Sequence, residues 1–500
     1  IEEMAAALSL VRPFTKAPVV ACIYTHFHYV NGTRALLDDG APASMPIYAN
    51  AAIEANLRRF GGEAAPRYSR GLVHQFGVLL PNDGADSVEN VGLGLSFRNT
   101  LHAPYTAGYL AATHLFDAEL KTTIGGLRVE MWRAPSDADD SITIWFPELK
   151  LAVNNLLWPT LFNVFALRGE AYRDPRVLIE GLDQLRGLQS EYLLGAHGPP
   201  LSDVKAIDQT LTDYRDAIQF LWDQTVRGAN KGLNLEQITE FVQLPKRFDR
   251  SFYTRQFYGL VEHHVRQIYN GLFGWFDEDP AKLLPLEPGS RAQRLIAGFG
   301  GVRTVREQID GALETLDYRW ALEMANWLVQ MHATPADAPA EDKERLASAL
   351  RAIAYCTTSA NVRNWCLTRA LDLSGSLDLR RFRVHVPRER EVLAHDSCVF
   401  VEILRVMLEP QRAGDVNERM AWHFEDGSLA GLHLRDGVAV PDSGESAGLS
   451  VALSLATWAR VMSNKESLEM ALSTGAITVK RGNEARVREF LAVFDHPALS

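Results

Sequence analysis

Two histidines one residue apart, His26 and His28, stand where the apolar run Val19-Val20-Ala21-Cys22-Ile23 gives way to the loop Tyr24-Thr25-His26-Phe27-His28-Tyr29-Val30-Asn31-Gly32. At a strand end, side chains two positions apart share a face, so both imidazoles can enter one cavity. Imidazoles placed this way serve either metal ligation or acid–base catalysis. A third, His197, lies in Leu194-Gly195-Ala196-His197-Gly198-Pro199-Pro200, a strand ending in a Gly/Pro loop. Beside an upstream His-x-His, it reads as a further ligand or base.

Three other stretches carry polar groups toward such a cavity. Between Asn154 and Asp174 lie Asn155, Asn163, Arg168, Glu170 and Arg173. Arginines presented with planar amides make a bidentate cradle for sulfate, phosphate or carboxylate. The loop Pro135–Ser141 holds Asp137, Asp139 and Asp140, and the helical stretch around Trp222 carries Asp223, Gln224, Thr225, Arg227 and Asn230. Of these, Asp174 is a candidate for orienting a base, and Asp137, Asp139, Tyr29, Asn31 and Trp222 are candidates for substrate contact.

The elements that must position these residues follow from hydrophobic periodicity. Residues 1 to about 203 alternate short β-like runs with loops, with strands expected at 18–24, 45–50, 94–99, 126–133, 141–146, 150–154 and 191–195. From 204 to about 374 helical periodicity is nearly continuous, with helices expected at 203–228, 235–242, 251–273, 291–297, 303–315, 319–333, 340–357 and 361–373. Residues 375–500 are mixed again, with strands expected at 380–385, 397–402, 419–424, 430–434 and 449–452 and helices at 455–462, 466–473 and 484–494. The expectation is an α+β multidomain chain of three domains: 1–203, 204–374 and 375–500.

The totals exclude several functions. The 500 residues carry a formal net charge of −11 and no basic tract, so a nucleic-acid partner has no electrostatic footprint. No run of eighteen apolar residues offers a membrane span. Four scattered cysteines, Cys22, Cys356, Cys366 and Cys398, suit reduced thiols and a cytoplasmic setting. The opening Ile-Glu-Glu-Met looks like a truncated start, so a leader could precede it.

The loop at 24–32 resembles the His-x-His-x-Asp-His-x-x-Gly loop of the metallo-β-lactamase superfamily, and the chain as a whole is similar to that superfamily's alkylsulfatase branch. Phe146-Pro147-Glu148-Leu149, Asn163, Arg168-Gly169, Arg173-Asp174, Asp223-Gln224-Thr225, Phe257-Tyr258-Gly259, Gly274-Trp275-Phe276-Asp277 and Arg363-Asn364 occur in the branch's order. The resemblance implies an αββα sandwich, an all-α dimerisation domain and a sterol-carrier-like C-terminal domain. It also implies a two-zinc site that hydrolyses alkyl sulfate esters.

Against that pattern, Val30 and Asn31 stand where the second metal's Asp and His belong, and Asn155 stands where a ligand Glu aligns. Ala196 replaces one of two adjacent histidines, while Phe162 and Trp222 each replace another. A catalytic zinc takes about three protein ligands and an open position, and neither Val nor neutral Asn serves well. The two-zinc centre therefore reads as dismantled.

The expectation is an enzyme with no bound metal that acts on a small-molecule sulfate ester or similar anionic substrate. It would release sulfate by intramolecular substitution or elimination in a biosynthetic context, with His26, His28, His197 and Asp174 as the catalytic set. Three alternatives stand beside it. One is a single zinc on His26, His28, Asp174 and His197. Another is a zinc-dependent hydrolase with substitute ligands. The third is a non-catalytic subunit paired with a paralogue, the helical domain supplying either a homodimer or a heterodimer interface.

Overall fold

A computed structural model describes residues 1–94, 100–158 and 164–499. The chain forms two compact units, Ile1–Asn56 with Gly71–Asp378, and Leu57–Arg70 with Leu379–Ser500.

The first unit contains two sheets. Strands β1 (Cys22–Ile23), β2 (Ile47–Asn50) and β3 (His114–Phe116) form a parallel sheet in that order. The second runs β4 (Glu119–Ile124), β5 (Leu127–Arg133), β6 (Ile142–Phe146), β7 (Leu151–Asn154), β8 (Tyr192–Gly195) and β9 (Leu201–Ser202). It is antiparallel except between β7 and β8, whose connection includes the helix Pro175–Gly187. Gly125 and Gly126 both take positive φ, the requirement of a tight two-residue hairpin between β4 and β5. Side chains at alternate positions fill the space between the sheets: Tyr48 and Phe116 from the first, Val129, Met131, Ile142 and Ile144 from the second. Helix Pro175–Gly187 buries Leu178, Ile179, Leu182 and Leu185 in a shared core with Ala152 and Leu193 of the second sheet. The expected αββα arrangement is borne out.

Four chain segments leave these sheets toward one edge. β1 runs into the loop of His26 and His28, the β5–β6 connection carries Asp137, β7 ends beside Asn155, and β8 ends beside His197. Ile142 N donates to Thr25 O at 3.0 Å, which joins the two sheets at that edge, and Asn154 sits opposite Gly195 in the parallel register.

Eight helices match the expected ones closely: Val204–Asn230, Leu235–Phe241, Val261–Phe273, Pro288–Gly298, Val302–Glu314, Tyr318–Gln330, Ala340–Cys356 and Ala360–Leu373. The third begins ten residues later than its periodicity suggests, because 251–260 breaks into a 3-10 turn and a loop through Gly259. A Cβ at Gly259 would stand 2.3 Å from the His264 ring.

In the second unit a sheet runs β12-β11-β10-β13-β14, from β10 (Asn417–Phe424), β11 (Leu429–Arg435), β12 (Val438–Asp442), β13 (Leu449–Leu453) and β14 (Ile477–Arg481). Trp422, Trp458, Phe490 and Phe494 centre its core.

Two expected strands here are not strands. Residues 380–382 form a 3-10 turn, because the segment spends its hydrogen bonds on residues 57–70: Arg70 Nη1 donates to Phe382 O and His385 Nε2 meets Gly62 O at 2.8 Å. Val399–Glu402 is a short helix whose Phe400 and Val401 are buried in the core, and a short apolar run does not by itself distinguish helix from strand. Conversely, β4 was missed because Glu-Leu-Lys-Thr-Thr-Ile is charged and half exposed. The expected strand at 94–99 falls almost wholly outside the described residues.

Candidate functional site

His26 is buried at the first turn beyond β1, its Nδ1 3.1 Å from Thr25 Oγ1 and its Nε2 without a hydrogen-bond partner. Asp137, also buried, lies 3.7 Å from that nitrogen through Oδ2. His28 Nδ1 is 2.9 Å from the same carboxylate oxygen. The other carboxylate oxygen, Oδ1, accepts from Asn155 Nδ2. That amide is oriented by chemistry, since a carboxylate only accepts and must face the NH2 end. Asn155 Nδ2 also reaches Ser141 Oγ at 3.0 Å, and its backbone carbonyl accepts from Ser136 Oγ.

His197 enters from the end of β8. Its Nε2 is 3.0 Å from the Tyr29 hydroxyl, its Nδ1 is buried without a partner, and Trp158 stacks on its ring at 3.7 Å. On the far side of His28, Nε2 lies 3.3 Å from Arg168 Nη2 and 3.7 Å from Glu170 Oε1. Arg168 pairs with Glu170 at 2.6 Å, and its backbone N–H donates to Gln75 Oε1, while Gln75 Nε2 donates to Tyr258 Oη at 2.9 Å. Arg173 is buried within the electrostatic reach of Glu170, Asp137 and Tyr258.

Burial sets the protonation of the two innermost histidines. It pushes His26 down to about 3 and His197 down to about 4, against the pull of Asp137, so both are neutral at neutral pH. For His28, burial and Arg168 oppose the charge, but Asp137 and Glu170 outweigh them and raise its pKa. Burial works against the Asp137 carboxylate, yet the surrounding histidines hold it well below its ordinary value. Two guanidiniums, Arg168 and Arg173, thus face the Asp137 and Glu170 carboxylates, and His28, its pKa raised, adds positive charge when it takes a proton. Such a cavity suits an anion.

Among the described residues one group could hold a metal ion: His26, Asp137 and His197, with a ligand atom from each lying within 4.8 Å of the others. The fit is chemically sound. Two imidazole nitrogens are buried and unpartnered, both rings are neutral, and the third donor is an ionised carboxylate held by an amide and an imidazole. Val30 is fully buried, and its side chain has no metal-binding atom.

The structure therefore gathers His26, His28, His197, Asp137, Asn155, Tyr29, Arg168 and Arg173, and sets four expected residues elsewhere. Asp174 caps the helix Pro175–Gly187, accepting from Arg176 N at 2.9 Å and pairing with the Arg176 guanidinium at 2.7 Å, so Asp137 takes the acidic position expected of it. Asp139 is exposed and accepts from Asn56 at 2.6 Å. Asn31 faces solvent, its backbone carbonyl bound by Gly108 N. Trp222 packs on the helical core with Arg176 over its ring at 4.8 Å. Asn163 lies outside the described residues. Sequence reasoning named Glu170 only as one polar group of its stretch and passed over Trp158 and Tyr258 as site residues, because aromatic residues in an apolar context give no chemical signal of their own.

Comparison with known proteins shows the family. Residues 234–376 match the alkyl sulfatase dimerisation family and 394–500 the alkyl sulfatase C-terminal family. A linear primary-alkylsulfatase of Pseudomonas sp. (strain ATCC 19151) is 32% identical over 512 residues, spanning 99% of this chain and 95% of the relative. The chain belongs to the alkylsulfatase family. An (R)-specific secondary-alkylsulfatase of Pseudomonas sp. is 28% identical over 503 residues, with 96% of this chain and 73% of the relative covered. The solved structure of the stereoselective inverting sec-alkylsulfatase Pisa1 from Pseudomonas sp. superposes with a TM-score of 0.83 at 25% identity, covering 99% of this chain and 78% of that one. The resemblance read from the motifs is thereby borne out across all three regions. No helix among the described residues is long and apolar enough to cross a membrane.

Proposed function

We propose that this alkylsulfatase-family chain cleaves alkyl sulfate esters, and that its site takes at most one divalent cation, on His26, Asp137 and His197. The observation that carries the reading is the buried trio with two unpartnered imidazole nitrogens, set beside the guanidiniums of Arg168 and Arg173. A divalent cation such as zinc would supply Lewis-acid polarisation and a more acidic bound water.

The chain's own residues do the rest. His26 and His197 are held neutral by burial, the form in which imidazole can donate a lone pair. Asn155 and His28 fix the Asp137 carboxylate from two sides. Arg168 and Arg173 balance the sulfate charge, and His28, when protonated, adds to them. Walls formed by Trp158 and Phe76, the latter beneath Arg168 at 5.7 Å, exclude water and strengthen each of these interactions.

A second reading dispenses with the cation, and the 2.9 Å contact between His28 Nδ1 and Asp137 Oδ2 favours it. Sulfate is already a good leaving group. A substrate amine or hydroxyl attacks the carbon bearing it; the new bond forms as the C–O bond breaks, the bonding pair departs with sulfate, and one of His26, His28 and His197 takes the proton, His28 being the most basic of the three. Orientation alone can supply roughly 7–11 kcal/mol of such a barrier. A biosynthetic ring closure is the natural setting for this route.

Self-association through the dimerisation region at 234–376 is part of either reading, as a homodimer or with a paralogue, and native mass separates the two. Four unpaired cysteines suit the cytoplasm as the compartment. Metal content of the purified protein, with sulfate release measured from a linear alkyl sulfate and from an amino-alkyl sulfate before and after chelation, decides between the routes. One equivalent per chain with activity lost on chelation supports the first. Full activity after chelation supports the second. Two equivalents per chain, or no sulfate from either substrate, overturns both.

A further inference from the structure

The loop that holds His26 and His28 reaches a third histidine through Tyr29. The Tyr29 hydroxyl lies 3.0 Å from His197 Nε2, 168 positions along the chain. Tyr29 is 57% exposed while His197 is 8% exposed, so one phenol links solvent to a buried imidazole. Its ring also meets His26 edge-on, centroids 5.1 Å apart at 82°. Trp158 stacks on His197 at 22° between planes, which hinders the ring from turning over.

A neutral imidazole has one N–H and one lone pair, and the partner of one nitrogen decides what the other offers. If His197 carried its hydrogen on Nδ1, a buried N–H would point where no acceptor lies. With the hydrogen on Nε2, the Tyr29 oxygen accepts it and Nδ1 keeps a lone pair, while a ring nitrogen of His197 lies within 4.8 Å of donor atoms of His26 and Asp137. Neighbouring residues of the loop do not offer this: Val30 is apolar and buried, and Asn31 is turned to solvent.

We infer that Tyr29 is a positioning residue: by holding His197 Nε2 it selects the tautomer that presents Nδ1 to a cation beside His26 and Asp137. The inference rests on the one-cation reading for its consequence, though not for its geometry. Accepting the Nε2 hydrogen also leaves the phenol's own hydrogen free to turn outward.

The test is Tyr29→Phe, which keeps the ring and removes only the oxygen, at an exposed position where folding tolerates the change. Two readouts are needed. In metal-free protein labelled with 15N-histidine, the His197 signals (identified by their loss in His197→Gln) should show hydrogen on Nε2 in the parent and a mixture of tautomers in Tyr29→Phe. In zinc titrations against a chromophoric chelator, Tyr29→Phe should bind about 10–100-fold more weakly. An unchanged tautomer in Tyr29→Phe overturns the inference whatever the zinc affinity. A shifted tautomer in a protein whose parent binds no zinc sustains Tyr29 as the positioning residue and overturns the one-cation reading instead. A shifted tautomer with unaltered zinc affinity overturns the link to the cation.

Discussion

His28 and Asp137 are joined by a 2.9 Å contact between Nδ1 and Oδ2, and the carboxylate so engaged is the one that also lies against His26. His28 therefore orients an acidic group, although its spacing from His26 is that of a ligand. Because Asp137 and Glu170 raise the His28 pKa, the stability gained from charging the ring is complete below the ordinary imidazole value and disappears as pH rises through the raised one. His28→Asn keeps an amide near Asp137 and does not titrate. Thermal unfolding at pH 6 and pH 9 should show a smaller loss between the two in His28→Asn than in the parent; an equal loss would show that His28 is not charged in the folded protein.

Asn155 donates to the other oxygen of Asp137. Replacing it with Asp puts two carboxylates in one buried space, and one of them must then hold its proton. Asn155→Asp should lose about 1–3 kcal/mol at pH 8, recover at acidic pH, and recover at pH 8 when a divalent cation is added. Unfolding with and without zinc measures this. A variant as stable as the parent at pH 8 without metal would contradict the packing of the site.

Asp140 supplies a pH effect away from the histidines. Burial pushes its pKa up to about 6, despite the hydrogen bond from Asn56 at 2.8 Å, and its Oδ2 has no partner. The folded chain thus holds a proton that the unfolded chain releases near pH 4, so stability falls as pH rises from about 4 through 6. Across that window the loss amounts to about 3 kcal/mol. Asp140→Asn removes the titration and should be the more stable protein at pH 7.5, with a flatter profile between pH 5 and 7.

Arg168 offers a forked cation against Glu170 and His28. Lysine keeps the charge but not the planar fork. Arg168→Lys should raise KM for an alkyl sulfate about 10–100-fold, equivalent to about 1.4–2.7 kcal/mol, with a smaller change in kcat. Steady-state kinetics with sulfate detection checks it, and an unchanged KM would remove Arg168 from the anion site.

Local pattern was enough for much of this. Strands that end in loops, the helical stretch from Val204 to Leu373 and the grouping of His26, His28 and His197 follow from periodicity and from residue types a few positions apart. The retained order of motifs sufficed for the family. Which carboxylate serves the site did not follow, because Asp137, Asp139 and Asp174 are equivalent by type. The β5–β6 connection brings Asp137 to His28 across 109 positions, whereas Asp174 is claimed by the start of its own helix and Asp139 turns to solvent. The same holds for Tyr29, whose partner His197 is set by the parallel pairing of β7 with β8. Contacts between residues so far apart arise only when the sheets pack and the apolar core between them closes, and that step decides which polar groups are left facing one another.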